Sequence, residues 1–473
     1  MDVDIRHEGG VIHLGRRFAA PAQEESIPLR GAIAHVDPTA VGLPVPLTIT
    51  DADEAYDVLV RLYGHAVADA VSRVHPEGPT ATAEVSTTGW RAVERLGLLL
   101  WLRRLSPLPL DPSALHLEIM AGVVACADLM DPDDLGPDDP CEHTDALLET
   151  ARFLRSTSDP SPDRDTVGDL LDVVLRHVAD DPRTPGDVAL GAWHEVDLLE
   201  IDRTWAQGAT RPPTTPTWAM DLSPVGATAA GTTSPSTTRR QGTDSLDWDR
   251  VPARLLDPAE GSITWIARSG EGSAGVAVVV RSAPSPSLHP MLRALRPPPV
   301  VADLRFRVYV PGLPFPAAEA GLARRADWDA WSGSVLLGRG AASALHRSPD
   351  LWVDVHTAGY PLPPKQGSAA VEAEAQRWTV RALAALRMAA AIPPTGEMDL
   401  RSSAAMSLAR ARTLWAAAEE NSPEALACAH LHRAVRRDPS MPAGSEGPPL
   451  PDLTDSAWAP CWTERLLARG GAA

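Results

Sequence analysis

Apolar side chains recur every three or four residues through most of 49–205, and every second residue in several short runs beyond 248. Thr50 with Asp53 forms a capping pattern ahead of the stripe Ala55, Leu59, Leu62, Ala66 and Ala70, which predicts a helix. Trp90, Val93, Gly97 and Leu100 mark a second. Asp111 followed by Pro112 starts a third, running through Leu115, Ile119, Val123, Cys126 and Met130. Further starts stand at Thr144, at Thr166 with Asp169, and at Thr184 with Pro185 and Asp187. Six amphipathic helices joined by Asp/Pro turns predict an all-α N-terminal domain, preceded by an irregular or short-stranded lead-in over 1–48.

Beyond 248 the period shortens to two. Residues 262–268 and 275–281 flank a Gly-rich loop and predict a hairpin. In 303–310, Leu304, Phe306, Val308 and Val310 alternate with Arg305, Arg307 and Tyr309. In 351–357, Leu351, Val353 and Val355 alternate with Trp352, Asp354 and His356, leaving these last three on the face away from the core. One helical insertion is predicted near 316–326. Helices follow over 369–390, 401–420, 422–437 and 460–469. The expected fold class is multidomain α+β: a helical domain over 49–205, a linker over 206–247, and an antiparallel sheet or sandwich followed by helices over 248–473.

Composition sharpens this division. At ~150 residues per domain, 473 residues suggest two or three domains. The formal net charge is −19, but residues 1–205 carry 37 acidic and 16 basic side chains while 206–473 carry 25 and 27. Most of the excess lies in 128–202, with 21 acidic and 5 basic side chains. Residues 206–247 are rich in Thr, Pro and Ala and too poor in apolar side chains to repay ordering, so they read as a flexible, disordered linker. One Lys and one Asn against 42 Arg point to a GC-rich, actinobacterial-like genome, so the Arg content says little about phosphate binding. Four cysteines without a CxxC pair do not make a disulfide framework and fit a reducing compartment. The first residues lack the basic and apolar regions of a signal peptide, and the most apolar run, Leu96 to Leu102, is far too short to span a bilayer. The expectation is a soluble, cytoplasmic protein.

Several chemistries are excluded by motif. Gly270, Gly272 and Gly275 form GxGxxG, but between two strands rather than between a strand and a helix, which removes the dinucleotide reading. A kinase would place a lysine on the next strand; that strand ends in Arg281, and the only lysine, Lys365, is remote. The same lysine lies outside any GK[ST] loop, which excludes a P-loop NTPase, and in PLPPKQG it reads as a solvated loop residue rather than a Schiff base. His194-Glu195 begins like HExxH, but position 198 is leucine. Ala443 to Gly447 approximates a nucleophile elbow without a preceding strand.

Three constellations survive. Asp131, Asp133, Gly136, Asp139 and Glu142 fall at EF-hand positions 1, 3, 6, 9 and 12, a possible calcium set, although Leu135 occupies position 5 and three prolines stiffen the loop. Cys428 and His432 share a helix face, with His430 turned away; zinc would need partners such as Glu424 or Cys461, and a core thiol is the plainer reading. Asp354 and His356 could orient an imidazole by a carboxylate for acid/base work, against the plainer reading of an exposed sheet face. Trp328, Trp331 and Trp352 could form a stacking platform, but in a chain with four Phe and four Tyr they must also fill cores.

These features point first to a non-catalytic protein–protein interaction or regulatory protein, an adaptor whose acidic helical domain meets a basic protein surface. A partner within the chain, the Arg-containing C-terminal helices, would give an autoinhibited form. The alternative is a hydrolase, metal-assisted or not, with its site near Asp354 and His356. An acidic domain mimicking DNA is a third reading, on charge alone. The acidic face argues against nucleic acid as a partner, and no segment calls for a membrane.

Overall fold

The first fifty residues alternate apolar and polar side chains, and they form strands. The computed structural model describes residues 2–15, 24–38, 42–74, 80–106, 108, 110–131, 136–156, 163–206, 238–247, 250–252, 255–257, 261–270, 273–283, 290–295, 302–311, 313, 315–325, 330–347, 351–358, 368–391, 394–418, 422–436 and 460–470. Strands β1 (Asp2–Glu8), β2 (Val11–Leu14), β3 (Glu25–Leu29), β4 (Ala32–Val36), β5 (Leu47–Ile49) and β6 (Ala81–Glu84) make one antiparallel sheet in the order β3-β4-β5-β2-β1-β6. Val3, Ile5, Leu14, Ile27, Leu29, Leu47 and Ile49 are buried in its core. The N-terminal part is therefore not all-α. The expected lead-in is an organised sheet, and β6 joins it from within the region expected to be helical, because burying a two-residue period needs a second layer.

That layer is helical. The stripe from Ala55 to Ala70 forms two helices, α1 (Tyr56–Tyr63) and α2 (His65–Arg73), rather than one. Gly64 separates them at φ 98°, where a Cβ would also strike the Ser86 hydroxyl. Helix α3 (Trp90–Leu105) lies against β3 and β4. Its Gly97 lets the helix approach the sheet so closely that a Cβ would lie 2.4 Å from Val36. Gly97→Ala is expected to lower stability by about 1–3 kcal/mol through this overpacking, read as a shift of the urea midpoint at unchanged slope.

Helix α4 (Pro112–Cys126) opens as the sequence predicts: the Asp111 carboxylate accepts the backbone N–H groups of Ser113 and Ala114. The 18 residues Pro112–Leu129 are apolar enough by composition to cross a membrane. Here Leu115, Ile119 and Val123 enter the core of the N-terminal sheet, while Ala114, Leu117 and Met120 enter a second core. That second core belongs to α5 (Thr144–Ser156), α6 (Arg164–Asp180) and α7 (Gly186–Ala206).

Residues 207–237 lie outside those described. The end of the expected linker is ordered as β7 (Thr238–Asp244), the edge strand of a five-stranded antiparallel sheet. Its TRRQGTD run carries no apolar alternation, so its place is set by backbone pairing with β8 (Ile263–Gly270). Strand β8 pairs with β9 (Ser273–Arg281), the predicted hairpin. A three-stranded sheet holds β10 (Leu304–Tyr309), β11 (Ala318–Gly321) and β14 (Trp352–Thr357); β12 (Ala323–Arg325) and β13 (Ala330–Leu337) complete the larger one. Val276, Val278 and Val280 share one core with Phe306, Val308, Val353 and Val355, as the layers of a sandwich. Helix α8 (Arg339–Arg347) packs Leu345 into the same core.

The helix expected near 316–326 is absent. An Ala-rich run that favours helix locally is drawn into β11 and β12 by pairing with β10 and β13, and Leu322 between them is buried.

Helices α9 (Ser368–Ala391), α10 (Pro394–Ala418) and α11 (Pro423–Arg436) bury Val380, Leu383, Leu408 and Leu431 in the core that holds the N-terminal sheet. The sequence groups these helices with the β-rich residues; their packing joins them to the N-terminal half. The last helix, α12 (Trp462–Gly470), is capped by a residue far away in the chain. The Glu118 carboxylate on α4 accepts the backbone N–H of Trp462 and of Thr463, each at 2.9 Å, and the Thr463 hydroxyl at 2.6 Å. The Trp462 indole donates to Asp163 at 3.1 Å, and Arg387 on α9 clasps Glu464 with two 2.6 Å hydrogen bonds.

Candidate functional site

The outer face of the three-stranded sheet gathers the polar residues that alternate with its core. Arg307 on β10 stands opposite Asp354 on one side and opposite Glu319 on the other; Arg305 stands opposite His356, and Tyr309 opposite Trp352. Opposite charges directly across a ladder attract. Glu319 takes hydrogen bonds from Arg305 at 2.9 Å and Arg307 at 2.8 Å. The Tyr309 and Trp352 rings stack at 5.2 Å, so Trp352 packs within the sheet rather than in an open platform with Trp331, whose ring joins the sandwich core. Trp328 lies outside the described residues.

Asp354 and His356 do share the face the sequence assigns them, but that face is covered rather than exposed. Asp354 is 6% exposed and His356 is fully buried. The segment following β7 supplies the cover. Asp244 accepts the backbone N–H of Val353 and the indole N–H of Trp265; the Arg250 carbonyl accepts the Thr357 hydroxyl; and the Arg250 guanidinium lies 2.5 Å from Asp354. The register of a tail that reads as the end of a linker cannot be seen in the strand it covers.

His356 sits between two carboxylates, its Nδ1 3.8 Å from Asp354 and its Nε2 3.8 Å from Glu319. Burial pushes the imidazole down to about 4, aided by the Arg307 charge and opposed by Glu319. Burial pushes the Asp354 carboxyl up to about 7 against the attraction of Arg250, with the Asp247 charge adding to the rise. A neutral imidazole flanked by two carboxylates is the arrangement of an oriented base. Here both carboxylates also hold guanidinium groups, and the ring has no exposed edge.

No known protein family, curated protein or solved structure matches the chain. The reading of the site rests on its chemistry.

The calcium set does not assemble among the described residues. Asp139 accepts the Cys141 backbone N–H and pairs with Arg183, while its neighbour Asp138 is clasped by Arg103. Glu142 is exposed, Asp131 stands at the edge of the described loop, and Asp133 lies outside it. The zinc pair is likewise separated in environment. Cys428 is a core thiol 3.5 Å from the Thr379 hydroxyl, and burial pushes it up to about 12; His432 is half-buried. Cys461 is buried at the start of α12 beside Glu464. Glu195, the second residue of the incomplete HExxH, is paired with Arg152 and Arg155.

Beside the acidic loop, three groups that no spacing rule links do converge. Cys141, His177 and Asp181 bring potential ligand atoms within 4.8 Å of one another. The only sequence signal was the four-residue step between His177, in the last turn of α6, and Asp181, the residue that ends it.

Proposed function

We propose that the protein is a non-catalytic interaction or regulatory protein, cytoplasmic, whose acidic helices α5–α7 receive a basic amphipathic segment of another protein. The observation that carries this reading is that each of these three packed helices has a large apolar side chain that is partly exposed, Leu190 at 73%, Phe153 at 45% and Val173 at 44%. Apolar side chains exposed on a surface with an excess of acidic groups are what a basic amphipathic partner requires. In this reading the acidic helices and the β-rich part present different surfaces to partners, while Met291, Leu292 and Leu295 pack into the core of the acidic helices.

Affinity capture from native cytoplasm with the full chain tests it. A specific basic protein is expected on the column at about 0.05 M salt and lost at about 0.5 M, where the Debye length falls to roughly 4 Å. Phe153→Ser with Leu190→Ser is expected to reduce capture at least tenfold while leaving the unfolding midpoint nearly unchanged, as surface changes do. Retention of nothing specific at low salt, or equal retention by the variant, overturns the reading.

The position of His356 between Asp354 and Glu319 favours a second reading, a hydrolase using that imidazole. Its requirement is that Arg250 and its segment lift away. A turnover with any ester or amide substrate that His356→Gln abolishes would favour it over the first.

A further inference from the structure

We propose that Cys141, His177 and Asp181 form a binding site for a divalent transition metal of the zinc class. Cys141 lies in the short turn before α5, His177 in the last turn of α6, and Asp181 immediately after that helix, whose last turn is closed by the Asp181 backbone N–H on the His177 carbonyl at 2.9 Å. Their ligand atoms lie within 4.8 Å of one another. A tetrahedral zinc ion with bonds of about 2.0–2.3 Å needs ligand atoms roughly 3.2–3.8 Å apart. Small side-chain rotations supply the difference.

Two further observations point to an ion. The Nε2 atom of His177 is buried without a hydrogen-bond partner among the described residues, and the Asp181 carboxylate stands 4.0 Å from it. Buried polar atoms are normally satisfied. A metal ion there satisfies the imidazole, beside a carboxylate whose two oxygens Arg183 already holds in place. The sulfur of Cys141, in turn, faces two donors, the Thr184 hydroxyl at 3.7 Å and the Arg183 guanidinium at 3.9 Å. These contacts hold the sulfur beside the other two ligand atoms; burial and the Asp139 and Asp181 charges push the free thiol up to about 11, so metal binding releases its proton.

The outer shell is also in place. Arg183 holds an Asp181 oxygen at 2.8 Å and Asp139 at 2.9 Å, and Asp139 accepts the Cys141 backbone N–H at 3.0 Å, so both the carboxylate and the thiol are oriented from behind. With a thiolate at Cys141, the two carboxylates and Arg183 leave two uncompensated negative charges, matching one divalent cation. Thiolate, imidazole and carboxylate together suit zinc or cobalt rather than calcium or magnesium. Three protein ligands leave a fourth position for water or for a group brought by a partner.

The full-length protein, freed of metal by chelator and titrated with cobalt(II), tests the proposal. One equivalent is expected to bind with a thiolate-to-cobalt charge-transfer band in the near ultraviolet, displaced by zinc. Cys141→Ser is expected to abolish that band, and His177→Gln and Asp181→Asn each to weaken affinity at least tenfold. Glu142→Gln, on the same loop but outside the trio, is expected to leave binding unchanged. Far-ultraviolet circular dichroism identifies variants that fold, and the two conservative variants decide the matter if Cys141→Ser does not. Absence of stoichiometric cobalt or zinc at micromolar metal, or a band that survives in folded Cys141→Ser, overturns the proposal.

Discussion

Arg387→Met is expected to destabilise the protein by about 3–5 kcal/mol, the cost of leaving one member of a buried ion pair without its partner. Arg387 is 2% exposed and Glu464 is fully buried, and the guanidinium grips both carboxylate oxygens. Burial alone would push the Glu464 carboxyl up. The Arg387 charge and hydrogen bonds, with the backbone N–H of Cys461, outweigh it and hold the carboxyl below its ordinary value. A carboxyl depressed in the folded state adds stability above its unfolded value, and that contribution is lost as pH falls through the folded value. Removing Arg387 inverts the relation: the orphaned Glu464 rises, and the variant loses most at neutral and alkaline pH and less near pH 4. Urea midpoints at several pH values measure this directly. The double variant Arg387→Met with Glu464→Leu is expected to recover most of the loss, because replacing both members of a buried pair by apolar groups removes the uncompensated charge. A single change costing less than about 1 kcal/mol at pH 8 would show that α12 is not held by this pair.

Arg250→Gln is expected to have an effect of similar size with a different pH signature. In the native protein the Asp354 carboxyl, raised by burial to about 7, stays protonated below that pH and meets Arg250 as an ion pair above it. A carboxyl raised by folding contributes stability that falls as pH climbs from its unfolded value to its folded one. Without Arg250 the folded value climbs further. Native and variant then differ little through Asp354 at pH 5, where both hold the proton, and the gap opens above pH 7 to about 3–5 kcal/mol. The His356 imidazole, depressed to about 4, contributes in the opposite sense, adding stability as pH rises from about 4 to 6.5, but it does so in both proteins and largely cancels in the difference. A gap between the two proteins that is flat from pH 5 to 9 would mean that Asp354 does not change its charge over this range and would overturn this account.

Much of the secondary structure was legible in the chain because its signals are local. The Asp111-Pro112 cap, the Thr144 start and the alternations of 304–309 and 352–357 each lie within one turn of helix or a few residues of strand. The alternation of Val3, Ile5, Ile12 and Leu14 was equally present, but in runs too short to separate from irregular chain without knowing that they pair. The Ala-rich run at 318–325 misleads for the opposite reason: its local preference is helical, and β10 and β13 override it.

The candidate sites divide in the same way. The sequence by itself placed Asp354 and His356 on one face of a strand, ruled out the lysine-dependent and dinucleotide chemistries, and located the acidic helices, since each of these depends on residue type and short spacing. Only the tertiary structure decided that Arg250 covers Asp354, that Glu118 caps a helix more than three hundred residues later, and that Cys141 meets His177 and Asp181. Those contacts join residues whose separation along the chain carries no period, and their partners are chosen by which apolar faces must be buried together rather than by any pattern that a single segment displays.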